Sequence, residues 1–344
     1  MKKLQKQLLN LLNIHAVSGE EKPVRDYLKP ILDSTMDTTH IDDYGNLLGC
    51  KKVGSGNGAT VLLSAHMDTV RAVVKDREII NNNGIISSSK GALGADDRAG
   101  IAIILAVLRN LKRIDFNGTI KVAFSREEEI GCIGSGKINA EWYDDVDLAI
   151  VVDRRDSRDI VVGCGMAFCS NEVGNFMTEV GKMVDMDWKC VEGGISDAMT
   201  FSYNNINSIN LSAGYFNEHT SDEFVIIDNM RDTTRLIIQT LAVINGFYKD
   251  FGDVPFENEW VKHWDNRYRG SYYGNYFEDD FYDNDCTDDN SDEDVDVWAE
   301  SEDDLNGDIF IYELDGMIII DQNGQKVVTN RKNVRELVKQ LKHV

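Results

Sequence analysis

Short apolar runs alternate with longer amphipathic segments through the first 250 residues of the chain. The runs are four to six residues long and cover 59–63, 119–124, 148–152 and 208–211. Other segments carry apolar residues at helical spacing, as in 101–111 and 228–248. Strands joined by helices of this length favour parallel pairing, with helices on both faces of the sheet. The sequence therefore predicts an α/β fold, a three-layer αβα sandwich with a mostly parallel mixed sheet.

The composition changes after residue 251. Residues 252–306 combine aromatic side chains with an acidic run, in which fifteen Asp and Glu lie between Glu278 and Asp304. Like-charge runs of this kind are typical of disordered linkers. The apolar runs 309–312 and 317–320 then predict paired strands, and 334–341 has helical spacing. We therefore predict a main domain at 1–251, a disordered acidic linker at 252–306 and a small β-β-α unit at 307–344.

The charge of the chain is uneven. The formal net charge is −23, and no Lys or Arg lies between 270 and 325, so the chain outside the acidic run carries about −8. Proteins that bind nucleic acid present clustered Lys and Arg to the phosphates. The sequence has no basic stripe of this kind, and we expect no nucleic-acid partner.

Cysteine usage and the first residues indicate a compartment. The six cysteines include no C-x2-C pair, and polar residues interrupt the leucines near the start, unlike the apolar core of a secretory signal. No apolar run reaches the roughly 20 residues that a membrane-spanning helix needs. We expect free thiols, a location in the cytoplasm and no membrane partner.

His66 and Asp68 lie just beyond the first apolar run. Residues two apart in an extended chain point to the same side. Asp68 can therefore accept a hydrogen bond from one ring nitrogen of His66 and leave the other free for a metal ion. A core histidine beside a turn aspartate explains this pair alone equally well. The acidic residues farther along the chain favour the metal site.

Further acidic residues and a second histidine follow later runs or open the next helix. They are Asp96, Glu128, Glu129, Asp153 and His219. Two like charges about 4 Å apart repel by roughly 4 kcal/mol at an effective dielectric constant of about 20. Carboxylates gathered in one cleft therefore need a cation. Two divalent ions about 3.5 to 4 Å apart, with one carboxylate shared between them, meet that need.

In order and spacing these residues resemble the co-catalytic di-zinc exopeptidases. That family includes glutamate carboxypeptidases and tripeptidases, leucyl-type aminopeptidases and tetrahedral-shell aminopeptidases, and the resemblance covers roughly residues 1–250. The matching positions are His66 and Asp68 in a His-x-Asp motif, Asp96 at the bridging aspartate, Glu128 and Glu129 in a Glu-Glu pair, Asp153 after the next strand and His219 as the closing histidine.

The resemblance implies a set of ligands for two ions. His66, Asp153 and the bridging Asp96 would hold one ion, and Glu129, His219 and the same Asp96 would hold the other. The implied cofactors are two divalent ions, zinc first, with cobalt or manganese as alternatives. On this reading, residues 1–251 are a di-metal peptidase catalytic domain.

The resemblance also implies two catalytic roles. Glu128 would be the general base that takes a proton from the attacking water and returns it to the leaving amine. Asp68 would support this chemistry beside His66.

The chain departs from two branches of the family. Forty residues separate Asp153 from Gly193, too few for the lid domain of the carboxypeptidase branch. Thirty residues separate His66 from Asp96, too few for the domain that the tetrahedral-shell branch inserts there. The chain therefore looks most like a lidless leucyl-type aminopeptidase, in which a carboxylate holds the free amine of the substrate. Asp197 is the candidate for this contact, and a turn aspartate that caps the next helix is the alternative.

The leading hypothesis is a metallopeptidase, an aminopeptidase that acts on short peptides. An N-acyl amino acid deacylase, or amidase, and a carboxypeptidase are alternatives on the same scaffold. A non-catalytic interaction protein that works through its acidic tail is a third. The unit at 307–344 is a candidate to cover the cleft or to build an oligomer contact.

Overall fold

The computed structural model describes residues 2–255, 309–314, 317–322 and 325–329. The chain divides into two units between Arg269 and Gly270, and each is described by itself. The α-helices of the described residues are α1 (Lys2–Leu12), α2 (Lys22–Asp33), α3 (Ala95–Asn110), α4 (Ile133–Lys137), α5 (Asn171–Met183), α6 (Asp197–Tyr203) and α7 (Ile227–Val243).

The strands of the first unit form one large and one small sheet. In chain order they are β1 (Thr38–Ile41), β2 (Leu47–Val53), β3 (Thr60–His66), β4 (Ile79–Asn82), β5 (Ile85–Ser88), β6 (Gly118–Ser125), β7 (Leu148–Arg154), β8 (Asp159–Gly163), β9 (Lys189–Glu192), β10 (Ser208–Ser212), β11 (Tyr215–Phe216) and β12 (Phe224–Ile226).

The large sheet has the strand order β1-β2-β6-β3-β7-β10-β8-β9. Its central strands β6, β3, β7 and β10 are parallel, and β8 and β9 are also parallel. The β1–β2, β2–β6 and β10–β8 pairs are antiparallel. The predicted α/β fold with a mixed, mostly parallel sheet is confirmed.

Helices cover both faces of this sheet. Every residue of β3 is buried, and successive side chains of a strand point to opposite faces. Val61 and Leu63 belong to the larger core, which also contains residues of α1, α2, α3, α5 and α7. Leu62 belongs to a second core with Tyr143 and with Phe201 of α6. The sheet therefore lies between two helical layers, as predicted.

The small sheet was not predicted. Its strand order is β11-β12-β5-β4, and β4 and β5 lie in the polar segment 71–90, for which no strand was predicted. The strands are two to four residues long, and β4 is mostly exposed. Short exposed strands carry little apolar periodicity, so no pattern in the sequence indicates them.

The second unit contains three antiparallel strands, β13 (Ile309–Leu314), β14 (Met317–Gln322) and β15 (Gln325–Thr329). The predicted strand pair is present, but a third strand follows it where none was predicted. The helix predicted at 334–341 and most of the predicted linker lie outside the described residues. Residues 252–255 are described, and there Val254 is buried and Gly252 accepts a hydrogen bond from Asn207. The first unit thus extends beyond residue 251.

None of the helices in the described part of the chain combines the length and the apolar character needed to cross a bilayer.

Candidate metal centre and active site

His66 is the last residue of β3, at the carboxyl end of the central parallel strands, where ligands of such sheets bind. Its Nδ1 lies 3.2 Å from Asp68 Oδ1, as the spacing of two residues predicts. Its Nε2 lies 3.0 Å from Asp96 Oδ1 and 3.4 Å from Asp153 Oδ1. One ring nitrogen therefore faces a supporting carboxylate, and the other faces two candidate ligands.

Asp68 is completely buried. Besides His66, its carboxylate accepts hydrogen bonds from Ser18 Oγ at 2.7 Å and from the backbone nitrogens of Glu128 at 3.0 Å and Glu129 at 3.2 Å. Asp68 is thus not among the residues that line the pocket, and it contacts both His66 and the loop that carries Glu128 and Glu129.

Asp96 lies between the two histidines. Its Oδ1 is 3.0 Å from His66 Nε2, and its Oδ2 is 3.2 Å from His219 Nε2. Asp96 is at the start of α3, after Gly94, which has a left-handed φ of 74°. The two oxygens of one carboxylate thus face two different imidazoles, as a bridging ligand requires.

Glu128 and Glu129 follow β6 and point to different partners. Glu129 Oε2 lies 2.8 Å from His219 Nε2. Glu128 Oε2 lies 3.9 Å from His66 Nε2, and its Oε1 accepts a hydrogen bond from Cys132 Sγ at 3.2 Å. Adjacent residues therefore occupy different sides of the cluster, which suits two different roles.

Asp153 is the second-last residue of β7 and lies beside the same cluster. Its Oδ1 accepts a hydrogen bond from the hydroxyl of Tyr215 at 3.1 Å, and Asn210 pairs with its backbone. Tyr215 is itself buried. The carboxylate is thus oriented toward His66 by a neighbour that the sequence did not reveal.

The residues present fit divalent metal ions. Ligand atoms around one tetrahedral zinc lie roughly 3.3 Å apart, because each metal–ligand bond is about 2.0 to 2.2 Å. Distances of 2.8 to 3.4 Å separate the histidine nitrogens from Asp96, Glu129 and Asp153. Glu129 Oε1 is buried and has no hydrogen-bond partner. Two overlapping groups have ligand atoms within 4.8 Å of one another, and they are His66, Glu128 and Asp153, and His66, Asp96 and Glu129.

The pKa values reflect this crowding of acids. Burial and the charge of Asp96 raise the pKa of Asp153 to about 8. Burial and the charge of Asp153 raise the pKa of Glu128 well above its usual value. Hydrogen bonds that the His219 imidazole donates to Asp96 and Glu129 raise the pKa of His219 to about 11. The cluster therefore holds more negative charge than its histidines balance, and a bound cation would relieve it.

Asp197 is not brought to the pocket. It begins α6, is 1% exposed, and accepts a hydrogen bond from Ser125 Oγ. It provides no side-chain cap for its helix either, because it occupies the first helical position and Ser196 is the N-cap. Substrate contact by Asp197 stays a prediction.

An open pocket of about 160 Å³ lies over the cluster. Besides five of the predicted site residues, it is lined by residues that the sequence had not singled out, namely Arg154, Arg155, Gly194, Ile195, Asn210, Tyr215 and Glu218. Arg154 and Arg155 directly follow Asp153 at the end of β7. Their position after a predicted ligand could have indicated that they line the pocket. Glu218 directly precedes His219. Arg155 Nε lies 2.8 Å from Glu218 Oε1, so the rim of the pocket carries an ion pair.

Comparison with known proteins finds similarity to peptidases over part of the chain. The model of the M42 glutamyl aminopeptidase family matches residues 82–236. The chain is 30% identical over 144 residues to the uncharacterized protein YqjE of Bacillus subtilis, a match covering 39% of this chain and 38% of YqjE. It is 39% identical over 75 residues to peptidase T of Pectobacterium carotovorum, which covers 20% of this chain and 18% of that protein. Each match thus spans less than two fifths of the relative.

The fold is shared over a longer stretch. A tripeptidase from Staphylococcus aureus superposes with a TM-score of 0.64 at 17% identity, covering 71% of this chain and 98% of the tripeptidase chain. Peptidases of the M42 family are metal-dependent, in agreement with the ligand groups at the strand ends. The sequence matches are to peptidases and to an uncharacterized protein, and the shared fold is that of a tripeptidase; both agree with the order of the acidic and histidine residues in this chain.

Proposed function

We propose that the protein is a metal-dependent exopeptidase, an aminopeptidase that hydrolyses short peptides. The observation that carries the proposal is the position of Asp96 between His66 and His219, with Glu128 Oε2 at 3.9 Å from His66 Nε2. This arrangement provides two ligand groups that share one carboxylate, plus an additional acid for proton transfer. The peptidase names of the relatives support it.

The proposed ligands divide into two groups. His66, Asp153 and Asp96 would hold one ion, and Glu129, His219 and Asp96 would hold the other. We propose two ions, zinc first, with cobalt and manganese as alternatives, because imidazole and carboxylate ligands accept all three. When bound, such ions acidify a water molecule and polarise the scissile carbonyl.

Glu128 is the proposed general base. Glu128 lines the pocket. Its Oε2 faces His66, and its Oε1 accepts a hydrogen bond from the Cys132 thiol. A carboxylate in this position can take a proton from the attacking water and then give it to the leaving amine. The backbone bonds from Glu128 and Glu129 to Asp68 hold this loop against the histidine strand.

Recognition of the substrate amine has two candidates. Asp197 is the one expected from the sequence, but its carboxylate faces Ser125. Glu218 lines the pocket, and its Oε1 forms an ion pair with Arg155 Nε. If the enzyme is an aminopeptidase, the variant of the correct residue, Asp197→Asn or Glu218→Gln, raises KM for substrates with a free amine more than it changes kcat.

The decisive experiment compares Glu128→Gln with Glu127→Gln in metal-loaded protein. Glu127 is the matched control, because it precedes Glu128 but is engaged by Tyr44 and Arg126. We expect Glu128→Gln to lower kcat by about 10²- to 10⁴-fold with unchanged metal content, and Glu127→Gln to retain kcat within a few-fold. Equal kcat in wild type and Glu128→Gln would overturn the assignment of the base.

A substrate panel tests the reaction class. It contains an aminoacyl amide with a free amine, its N-acetyl derivative and an N-blocked dipeptide with a free carboxylate. Turnover of the first alone supports an aminopeptidase. Turnover of the blocked compounds alone indicates the deacylase or the carboxypeptidase. Metal-loaded protein that turns over none of them would indicate the interaction protein.

The remaining proposals concern the chain as a whole. We propose a di-metal peptidase catalytic domain at 1–251, extended to at least residue 255 by the contacts of Gly252 and Val254, followed by the acidic linker and the C-terminal unit. Location in the cytoplasm is supported by the five free cysteines of the described residues. Unchanged kinetics and oligomer mass after deletion of 256–344 would remove any role of the C-terminal unit in the cleft or in an oligomer.

A further inference from the structure

Glu223 is a buried acid that the proposed chemistry does not use. It lies immediately before β12 and is 1% exposed. It is not among the residues that line the pocket over the candidate metal centre. A buried carboxylate is costly unless hydrogen bonds satisfy it, and its partners therefore indicate its role.

Those partners are three consecutive backbone amides. Glu223 Oε2 accepts a hydrogen bond from Gly94 N at 2.8 Å, and its Oε1 accepts from Ala95 N at 2.7 Å and from Asp96 N at 3.2 Å. The third amide belongs to the residue that lies between the two histidines. Glu223 thus binds the backbone of Asp96, while the imidazoles face its side chain.

Helix α3 cannot satisfy these amides itself. The first N–H groups of any helix lack partners within the helix. In α3 the residues Asp96 and Asp97 also have non-helical backbone angles, with ψ of 109° and 42°. The N-cap residue is Gly94, which has no side chain that could accept a hydrogen bond from these amides. The carboxylate of Glu223 supplies the missing acceptors from 127 to 129 residues away in sequence.

Arg77 makes further hydrogen bonds to the same loop. Arg77 Nη2 donates hydrogen bonds to Leu93 O at 2.9 Å and to Leu12 O at 2.6 Å. Arg77 therefore binds the carbonyl of Leu93, and Glu223 binds the amides of the next three residues. The backbone that presents Asp96 has little freedom to shift.

Glu223 also lies four residues after His219. One short segment therefore supplies the imidazole that faces Asp96 Oδ2 and the carboxylate that holds the Asp96 amide. We propose that Glu223 is a positioning residue, which fixes Asp96 between His66 and His219 and thereby sets the affinity for both ions. This inference rests on the proposed metal centre, but not on the identity of the substrate.

The test uses Glu223→Gln with Asp147→Asn as the matched control. Asp147 is also a partly buried carboxylate that accepts a backbone hydrogen bond, from Thr60 N at 2.8 Å, but this bond lies at the end of β3 opposite to His66. A glutamine at 223 keeps one acceptor oxygen and places an NH2 group against a backbone N–H. Two readouts are measured, namely amide hydrogen exchange of 93–97 in metal-free protein and zinc affinity by competition with a chromophoric chelator.

We expect slow amide exchange at 94–96 in metal-free wild type and faster exchange in Glu223→Gln. We expect zinc to bind about 10- to 100-fold more weakly to Glu223→Gln, since removing a group that orients metal ligands has effects of this size. Asp147→Asn should leave the zinc affinity unchanged and should not speed amide exchange at 94–96. Glu223→Asp is the second variant if Glu223→Gln does not fold, because one methylene less moves the carboxylate away from the amides.

Three results would overturn the proposal. They are rapid exchange at 94–96 in wild type, unchanged zinc affinity in both Glu223 variants, or equal weakening by Asp147→Asn. Failure of the proposed peptidase activity is a separate outcome, because neither readout involves turnover. An active enzyme whose Glu223 variants bind zinc normally would refute the positioning role alone.

Discussion

The carboxylate of Asp68 accepts a hydrogen bond from the backbone amide of Glu128, with 3.0 Å between Glu128 N and Asp68 Oδ1. This bond joins the end of β3 to the loop after β6. The residue that orients His66 is therefore also the residue that holds the proposed base. A change at Asp68 is expected to disturb the metal ligands and the base together.

Asp68→Asn should lower activity without unfolding the protein. Both oxygens of Asp68 accept two hydrogen bonds each, and the NH2 group of an asparagine would face donors on one side. We expect a loss of about 10- to 100-fold in metal affinity or kcat/KM, as for other groups that orient metal ligands. Ser18→Ala is the control, because it removes only the bond from Ser18 Oγ. Equal kcat/KM in wild type and Asp68→Asn would contradict this role.

The candidate metal cluster could be predicted in part because His66, Asp153 and the Glu128–Glu129 pair stand at or just after strand ends. The spacing of His66 and Asp68 by itself predicts their hydrogen bond, which the structure contains at 3.2 Å. Parallel strands bring their carboxyl ends to one edge, and β3, β6 and β7 pair in this way. Local pattern and sheet direction were sufficient for this part of the site.

The supporting residues could not be predicted for a physical reason. Glu223 and Tyr215 are defined by contacts with residues 62 to 129 positions away. In sequence they are one acid among many and one tyrosine among many. The small sheet was missed for the same reason, since β5 pairs with β12 across more than 130 residues, and neither strand is long enough to show a period.

Glu21 is expected to stabilise the loop that leads to Glu128. Glu21 is 1% exposed, and it accepts hydrogen bonds from Arg126 Nε at 2.7 Å, Gly19 N at 2.7 Å and Glu127 N at 3.2 Å. Hydrogen bonds to a charged group contribute about 1.5 to 3 kcal/mol. We expect Glu21→Gln to lower the free energy of unfolding by that amount in urea denaturation. Glu20→Gln, at the exposed neighbouring position, should stay within about 0.5 kcal/mol of wild type.

Gly100 allows α3 to pack closely on β7. A Cβ at this position would lie 1.9 Å from Val152 O and 2.4 Å from Asp97 Oδ1. The backbone oxygen cannot move away without shifting the strand, so Gly100→Ala should destabilise the protein by about 3 kcal/mol or more. Gly246→Ala is the control, because nothing lies within 4 Å of its Cβ position. Similar midpoints of urea unfolding for both variants would refute this close packing.

Asp147 should make stability depend on pH in the opposite sense to most acids. Burial raises the pKa of Asp147 above 3.8, although the hydrogen bond from Thr60 N opposes the shift. The folded protein therefore holds this proton more tightly than the unfolded chain does. The resulting cost to stability is full at neutral pH, falls as pH decreases through the folded pKa, and vanishes below 3.8. Asparagine keeps an acceptor for Thr60 without the charge, so Asp147→Asn should unfold at a higher temperature than wild type at pH 7. This difference should shrink toward pH 4 in thermal scans, and a difference that grows on acidification would show that the carboxylate is instead stabilised by its partners.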